Sequence, residues 1–192
     1  MEIILITTIS YLIGSIPFGF VLTKILLKKD IREIGSGNIG ATNVLRTGNK
    51  LIGYLTLTLD VLKAIIPVLF VKINYPDLTY ISALAVFIGH VFPVWLKFKG
   101  GKGVATYVGI LFCISFNLGI TFVVSWLIIF FISKYSSLGS ILSSLTIPIF
   151  IFLNSNYENE YFFIIMFVLI LYTHRENVKR LINKEESKTK IY

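Results

Sequence analysis

Apolar segments of membrane-spanning length alternate with short polar segments along the whole chain. The apolar segments are residues 3–27, 51–71, 78–96, 103–133, 138–153 and 161–173. A helix needs about 20 apolar residues to cross a hydrocarbon core of about 30 Å. The pattern therefore predicts an all-α, polytopic integral membrane protein. Residues 1–192 form one domain in this interpretation, and residues 174–192 form a charged, exposed tail.

The uncharged segment 103–133 is too long for one span. A single helix of this length would extend about 46 Å at roughly 1.5 Å per residue, well beyond the hydrocarbon core. Two shorter helices that turn near Asn117, Leu118 and Gly119 are the alternative.

The distribution of basic residues favours two helices, which gives seven spans in total. With the N-terminus outside, the inner segments are residues 28–50, 97–102, 134–137 and 174–192. These segments hold every lysine and arginine except Lys24, Lys63 and Lys72. Six spans would place the tail opposite the first two basic loops, against the positive-inside rule. We therefore expect seven transmembrane helices, an outside N-terminus and a cytoplasmic C-terminus.

Pro17 lies within the first apolar segment. We expect that segment to be a retained span, because it opens with Met1 and Glu2 instead of the basic region of a signal peptide, and no small-residue cleavage site follows. Proline removes a backbone donor and clashes with the preceding turn, so we expect a kink there. A neighbouring helix must then satisfy a freed carbonyl, because lipid cannot.

Composition agrees with a membrane location. Of the 192 residues, 55% are hydrophobic and only 15% are charged, and the mean hydropathy is +0.81, whereas about a quarter of the residues of soluble domains are charged. Cys113 is the single cysteine and there are two histidines, so neither an internal disulfide nor a metal site is expected. Cytoplasmic loops account for the net charge of +8, and no nucleic acid is expected as a partner.

The first polar segment contains a glycine-rich loop. Its residues are Gly35, Ser36, Gly37, Asn38, Ile39, Gly40, Ala41, Thr42 and Asn43, and Arg46 follows. The loop matches G-x-G-x-x-G, with Asp60 about twenty residues later, but the strand that a dinucleotide site requires is missing. Backbone N–H groups and short polar side chains in one concavity would instead bind a phosphate. The alternative is a flexible loop whose glycines only serve turns.

A second glycine-rich loop contains Gly100, Gly101, Lys102 and Gly103, with Thr106 one turn later. It is not a Walker A motif, because Leu96 stands where that motif needs glycine and Gly103 follows the lysine. A lysine among glycines at a helix N-terminus can still bind phosphate. The alternative is an interfacial lysine that only anchors the helix.

Further polar residues occur at helix spacings inside or beside the spans. Asp60 and Lys63 share a helix face and can pair, and charges within a span indicate function by default. We expect them, together with His90, to support the polar site. His174 and Asn177 follow the last span and can address one ligand.

Together these motifs resemble the bacterial membrane glycerol-3-phosphate acyltransferases that use acyl-phosphate as donor. The matching segments are residues 14–19, 35–48, 60–63, 89–93, 98–106 and 174–177. The resemblance implies an enzyme of the bacterial inner membrane, without a cofactor, whose active site faces the cytoplasm. It would transfer a fatty acyl group to glycerol 3-phosphate, giving lysophosphatidic acid and phosphate in the first step of phospholipid synthesis.

The resemblance also implies roles for individual residues. The catalytic residues, which hold glycerol 3-phosphate and the acyl-phosphate head, would be Ser36, Arg46, Lys102, His174 and Asn177. The glycine-rich loops would bind phosphate through Gly35, Gly37, Asn38, Gly40, Ala41, Thr42, Asn43, Gly100, Gly101, Gly103 and Thr106. A soluble enzyme that produces acyl-phosphate is a further candidate partner besides the lipid bilayer. Ala64 stands where the family often has glycine.

The residues agree with such chemistry, because an acyl-phosphate is activated and needs positioning and charge neutralisation more than a nucleophile. Direct attack by the glycerol hydroxyl is expected, with the proton passing either to the donor phosphate or to His174. Two other classes stay open at this point: a transporter or channel for a phosphate-bearing anion, and a lipid-binding scaffold.

Overall fold

The computed structural model describes residues 1–154 and 159–189, and within these ranges the regular structure is helical. The predicted all-α fold is thus confirmed. Residues 155–158, which include Glu158 between the last two predicted spans, and residues 190–192 of the tail lie outside the described residues. The chain divides into two units, Met1–Cys113 and Ile114–Tyr192.

The first unit is built around a long central helix. Its helices are α1 (Glu2–Gly14), α2 (Phe18–Leu26), α3 (Ala41–Leu45), α4 (Lys50–Asn74), α5 (Thr79–Val91) and α6 (Val104–Ile114). Helix α5 packs against α1 and α4, and α2 and α3 also pack against α4. Asn49 caps the start of α4, since its Oδ1 accepts a hydrogen bond from the Ile52 N–H at 3.1 Å. Three single 3₁₀ turns connect these helices, at Ile31–Glu33, Pro76–Leu78 and Val94–Leu96.

The first apolar segment is broken at the predicted proline. Helix α1 ends at Gly14, and α2 begins at Phe18, directly after Pro17. Lys63 of α4 donates a hydrogen bond from Nζ to the Ile16 carbonyl oxygen, at 2.8 Å. The Phe18 N–H donates to the same carbonyl at 3.1 Å. A neighbouring helix therefore supplies a second donor at the break, within a segment where lipid can supply none.

The second unit contains α7 (Phe116–Ser133), α8 (Ser136–Asn154), α9 (Glu160–Thr173) and α10 (Arg175–Ile182). Helix α8 packs against both α7 and α9. Between α7 and α8, the Trp126 indole N–H donates to the Ser140 hydroxyl at 3.2 Å. The axes of α9 and α10 differ by 62°, so the chain bends sharply at His174.

The long uncharged segment forms two helices, as predicted from its length. The break is at Ser115, which is extended (φ −154°, ψ 131°), two residues before the predicted turn at Asn117. Among the described residues, five helical stretches are long and apolar enough to cross a membrane, or six if the bent α9–α10 pair counts as one. Helix α6 is apolar but shorter. The number of spans in the structure is therefore smaller by this criterion than the seven expected.

Candidate active site

Asn43 organises the first glycine loop, which we define as residues 35–43. Its side chain is buried, and Nδ2 lies within hydrogen-bond distance of three carbonyl oxygens: Ile31 at 3.2 Å, Ile34 at 2.9 Å and Asn38 at 2.8 Å. Its Oδ1 accepts the Ser36 N–H at 3.0 Å. A primary amide has two N–H donors, so the three carbonyl oxygens engage both of them, and the Ser36 N–H engages the amide oxygen. Asn43 therefore shapes the loop from inside.

Several backbone N–H groups of the first glycine loop bond within the loop or to the residue just before it. The Ser36 N–H bonds to Asn43, the Gly37 N–H donates to the Ile34 carbonyl at 3.0 Å, and the Gly40 N–H donates to Asn38 Oδ1 at 2.9 Å. The expectation that the loop's N–H groups point together into one concavity is wrong for these three. The polar side chains of the loop compete for its backbone donors, a local effect that favours compact turns over an open nest.

Exposed side chains surround this rigid loop. Ser36, Thr42 and Arg46 are all exposed. The Arg46 side chain lies over Gly35, where an added Cβ would come within 2.8 Å of Arg46 Cδ. Gly35 also has a φ of +56°, which favours glycine. The loop thus presents two hydroxyls and one guanidinium, which are suitable donors for a phosphate.

An apolar cluster lies beneath the first glycine loop and connects it to the turn before the second. The buried members of this cluster are Ile31, Ile39, Val44, Ile52 and Leu96. Leu96 belongs to the 3₁₀ turn that precedes the second glycine loop by four residues. Both glycine loops therefore lie at one end of the first unit, as the distribution of charge predicts.

Asp30, which lies five residues before the first glycine loop, forms an ion pair with Arg32. Asp30 accepts hydrogen bonds from Arg32 Nε at 2.9 Å and Nη2 at 2.6 Å. Hydrogen bonding to Arg32 lowers the pKa of Asp30 to about 2. Arg32 in turn lies over the Phe20 ring, 4.8 Å from its centroid. The negative charge of Asp30 is thus balanced by Arg32.

The second glycine loop, which we define as residues 100–103, is fixed to the C-terminal end of α5. The Gly100 N–H donates to the Val91 carbonyl at 3.0 Å, and the Gly101 N–H donates to the His90 carbonyl at 3.1 Å. Gly103 has a φ of +83°, and an added Cβ there would overlap the Phe87 ring. Lys102 is partly buried, directly before α6. The loop is therefore held to α5 by its own backbone bonds, and Lys102 lies partly buried within it.

Thr106 lies beneath the second glycine loop rather than on it. Its side chain is fully buried, and its hydroxyl has no hydrogen-bond partner within residues 1–154 and 159–189. The hydroxyl is therefore shielded from solvent, and the phosphate-binding role that the family resemblance implies for Thr106 stays a prediction.

A cluster of ionisable side chains is buried between the helices of the first unit. Lys63 Nζ lies 2.7 Å from Asp60 Oδ1, and His90 Nδ1 lies 3.7 Å from the same oxygen. The three side chains are only 2–4% exposed. Isolated charges are very costly in such a place, whereas this pair is compensated on its own helix. The predicted pairing of Asp60 with Lys63 is confirmed.

His174 and Asn177 lie in the second unit, and both are buried. His174 Nδ1 is 2.8 Å from the Ile170 carbonyl oxygen. A carbonyl can only accept, so Nδ1 is the donor in this bond and the neutral ring carries its lone pair on Nε2. His174 is thus oriented as a hydrogen-bond acceptor or proton acceptor at Nε2.

Glu186 is a polar partner of Asn177 that sequence analysis missed. Its Oε1 accepts from Asn177 Nδ2 and from the Ser137 hydroxyl, both at 2.7 Å, and its Oε2 accepts from Arg180 Nε at 2.7 Å. Burial raises the pKa of Glu186, but these three hydrogen bonds outweigh it and hold that pKa below the ordinary value. The only sequence signal for this contact is the position of Glu186 shortly after the last helix.

The tail is therefore not merely exposed, which corrects the sequence expectation for residues 174–192. After α10 the chain reverses at Lys184 (φ +61°). The Thr189 N–H then donates to the Lys134 carbonyl at 2.9 Å. The charge of the segment predicts that it is solvated, but the Glu186 carboxylate and the Thr189 backbone N–H hold it against the start of α8.

Comparison with known proteins gives consistent similarities over nearly the whole chain. A protein-family model described as glycerol-3-phosphate acyltransferase matches residues 4–184. A glycerol-3-phosphate acyltransferase of Pelagibacter ubique (strain HTCC1062) is 68% identical over 192 residues, which is 100% of each chain. One from Bartonella henselae is 46% identical over 190 residues, covering 96% of this chain and 90% of the relative.

Two crystal structures are also similar. One is PlsY (YgiH), an integral membrane glycerol 3-phosphate acyltransferase, in its glycerol 3-phosphate form, with a TM-score of 0.91 and 38% identity over 98% of this chain and 96% of that one. The other is its lysophosphatidic acid form, with a TM-score of 0.89 and 37% identity over 98% and 95% of the two chains.

Proposed function

This chain belongs to the glycerol-3-phosphate acyltransferase family, and from that premise we propose that it transfers a fatty acyl group from acyl-phosphate to glycerol 3-phosphate. The products are lysophosphatidic acid and inorganic phosphate. Family membership makes the chain an enzyme of phospholipid synthesis in a membrane. The transporter and scaffold alternatives are therefore set aside.

One observation carries the proposal for the donor. Two glycine loops lie at the same end of the first unit, and each presents a cation, Arg46 beside the first and Lys102 within the second. A reaction between acyl-phosphate and glycerol 3-phosphate needs places for two phosphate groups. Two separate cationic loops match that requirement, whereas a thioester donor would bring no phosphate to the reacting carbonyl.

The reaction needs no covalent enzyme intermediate. The glycerol hydroxyl oxygen attacks the acyl carbonyl carbon, and the bond between that carbon and the phosphate oxygen breaks. The phosphate leaves with the electron pair, and the hydroxyl proton is transferred to a base. Because the mixed anhydride is already activated, positioning and neutralisation of the developing charge supply the catalysis.

We assign the roles according to accessibility. Ser36 and Arg46 are exposed beside the first glycine loop, and Lys102 is at the edge of the second, so these three bind the phosphate groups. The exposed Thr42 hydroxyl is a further donor, and the glycines of each loop provide backbone shape. His174 and Asn177, assigned from the family resemblance, complete the catalytic set.

Two groups can accept the hydroxyl proton. The leaving phosphate of the donor is one, and His174 is the other. The bond from His174 Nδ1 to the Ile170 carbonyl leaves Nε2 as the acceptor, which supports the histidine as the general base. Mutant kinetics separate these routes, as described in the Discussion.

We also propose the location of the reaction. The positive-inside rule places both glycine loops on the cytoplasmic side of a bacterial inner membrane, with seven spans and the N-terminus outside. In this arrangement the soluble glycerol 3-phosphate approaches from the cytoplasm. A soluble enzyme that supplies acyl-phosphate could meet the basic inner face.

The decisive experiment compares acyl donors with the purified full chain in lipid nanodiscs. Acyl-phosphate, acyl-CoA and acyl-carrier protein are each offered with glycerol 3-phosphate, and lysophosphatidic acid is quantified. We expect turnover with acyl-phosphate alone. Turnover with acyl-CoA and none with acyl-phosphate would overturn the proposal.

The same assay tests the two loop cations. We expect Arg46→Ala and Lys102→Ala each to lower kcat/KM by about 10²- to 10³-fold, as for the loss of a group that stabilises developing charge. Lys99→Ala is the matched control, because Lys99 is an exposed lysine immediately before the second glycine loop. It should retain activity within about twofold of wild type. Near-normal kcat/KM in folded Lys102→Ala would refute the role of this lysine.

A further inference from the structure

We infer that the buried trio of Asp60, Lys63 and His90 is a positioning device that holds the second glycine loop in the shape that presents Lys102 to a substrate phosphate. This inference rests on the proposed function, because it concerns the same reaction. The trio touches no exposed surface, with side chains only 2–4% exposed, so it acts through the loop rather than on substrate.

His90 contacts the loop through both its backbone and its ring. Its carbonyl accepts the Gly101 N–H at 3.1 Å. Its ring lies against the Cα of the same glycine, since a Cβ added at Gly101 would overlap the ring at Nε2. The next residue, Val91, holds Gly100 in the same way. The orientation of the His90 ring therefore limits the path of the backbone directly before Lys102.

Asp60 faces the other edge of the His90 ring. Nδ1 and Asp60 Oδ1 are 3.7 Å apart, too far for a direct hydrogen bond but close enough for one edge of the ring to face the carboxylate. Lys63 holds the same oxygen at 2.7 Å. Its ammonium also bonds to the Ile16 carbonyl at the break between α1 and α2. The pair thus has a fixed place between three helices.

Stability alone does not explain a buried ion pair in this position. Replacing such a pair by apolar side chains of similar volume is often neutral or stabilising, so the charges are better explained by a demand on geometry. Charged residues within a membrane span indicate function by default. Within the trio, His90 makes the contacts with the second glycine loop, which carries the lysine of the proposed site.

A double-mutant cycle between His90 and Lys102 tests the inference. His90→Ala should lower kcat/KM for glycerol 3-phosphate and acyl-phosphate at least tenfold in the otherwise wild-type chain. In the Lys102→Ala background the same change should cost less than twofold, because His90 acts through that lysine. A structural role alone would give equal losses in both backgrounds, and this additive result would overturn the inference.

A matched control isolates the effect of losing a buried polar group from α5. Ser82 lies on the same helix, about two turns before His90, and its hydroxyl shares a buried hydrogen bond with Ser10 at 2.8 Å. Ser82→Ala should leave kcat/KM within twofold of wild type. If His90→Ala does not fold, His90→Gln is used in the same cycle. If Lys102→Ala is too slow to measure, Lys102→Arg replaces it.

The charged pair is tested in the same way. Asp60→Leu combined with Lys63→Met removes both charges at nearly constant volume. We expect this variant to fold with a lower thermal midpoint, because the Ile16 carbonyl loses the Lys63 donor. At a temperature where it is fully folded, it should lose at least tenfold in kcat/KM, again without a further loss in the Lys102 variant. Retained activity would show that the pair has no positioning role.

Failure of this inference is distinguishable from failure of the proposed function. If the wild-type chain uses another acyl donor, the cycle is run with that donor and its result still decides the role of His90. If Lys102→Ala costs nothing with any donor, the lysine is not part of the site, and both the role of the second loop and this inference are wrong.

Discussion

At the scale of single residues, the accessible side chains and the buried ones divide the work of the site. Ser36, Arg46 and Lys102 are at least partly accessible, whereas Asn43 and Thr106 are buried under the loops. Sequence spacing predicts that all five belong near a phosphate, but it cannot tell surface from interior within a loop. Only the carbonyl partners of Asn43 that precede the loop, Ile31 and Ile34, reveal its structural role.

Mutation of His174 tests which group accepts the proton of the glycerol hydroxyl. If His174 is the general base, His174→Ala should lower kcat by about 10²- to 10⁴-fold while KM changes little. Steady-state kinetics with both substrates measure this, and the thermal midpoint of the variant verifies that it folds. A raised KM with a normal kcat would assign the proton to the phosphate of the donor.

At the scale of elements, length and proline predict the breaks in the helices. The split at Ser115 follows from the thickness of a bilayer, and the break at Pro17 follows from the missing N–H. The docking of the tail could not be predicted from the sequence. A charged segment such as residues 183–189 can be fully solvated, or one of its carboxylates can be bound by the rest of the protein, and the sequence does not distinguish these. The Ser137 hydroxyl of α8, which binds the Glu186 carboxylate, lies 49 residues before Glu186.

Docking of the tail should depend on the charge of Glu186. Its pKa is lowered, so its contribution to stability is complete above the ordinary carboxyl pKa and is lost as pH falls through the lowered value. Hydrogen exchange of residues 183–189, corrected for the intrinsic rate, should show protection at pH 7 and its loss only in stronger acid.

Substitution should reproduce the acid effect at neutral pH. In Glu186→Gln we expect protection of the same residues to fall by about tenfold or more, since charge-assisted hydrogen bonds are roughly twice as strong as neutral ones. Glu185→Gln is the matched control, because Glu185 is an exposed neighbour. Equal hydrogen exchange in the two variants would contradict a docking role for Glu186. The rate of acyl transfer by Glu186→Gln would show separately whether Asn177 needs this carboxylate.

At the scale of the whole molecule, the proposed topology can be tested directly with the chain's single cysteine removed. In a Cys113→Ala background, Lys29→Cys and Asp77→Cys place one thiol each in exposed segments of opposite predicted side. In intact spheroplasts, a membrane-impermeant maleimide should label the cysteine at position 77 and should label that at position 29 only after permeabilisation. The reverse pattern would show that the chain is oriented with its N-terminus inside.

The bond between Lys63 and the Ile16 carbonyl has a consequence for biogenesis. The Ile16 carbonyl already accepts the Phe18 N–H at 3.1 Å, but its side-chain donor, Lys63, is synthesised nearly fifty residues later. Asp60 lies on the same helix as Lys63, three residues away, so the two charges of α4 are matched as soon as that helix forms. The last contact of the α1–α2 bend therefore forms only once α4 is in place.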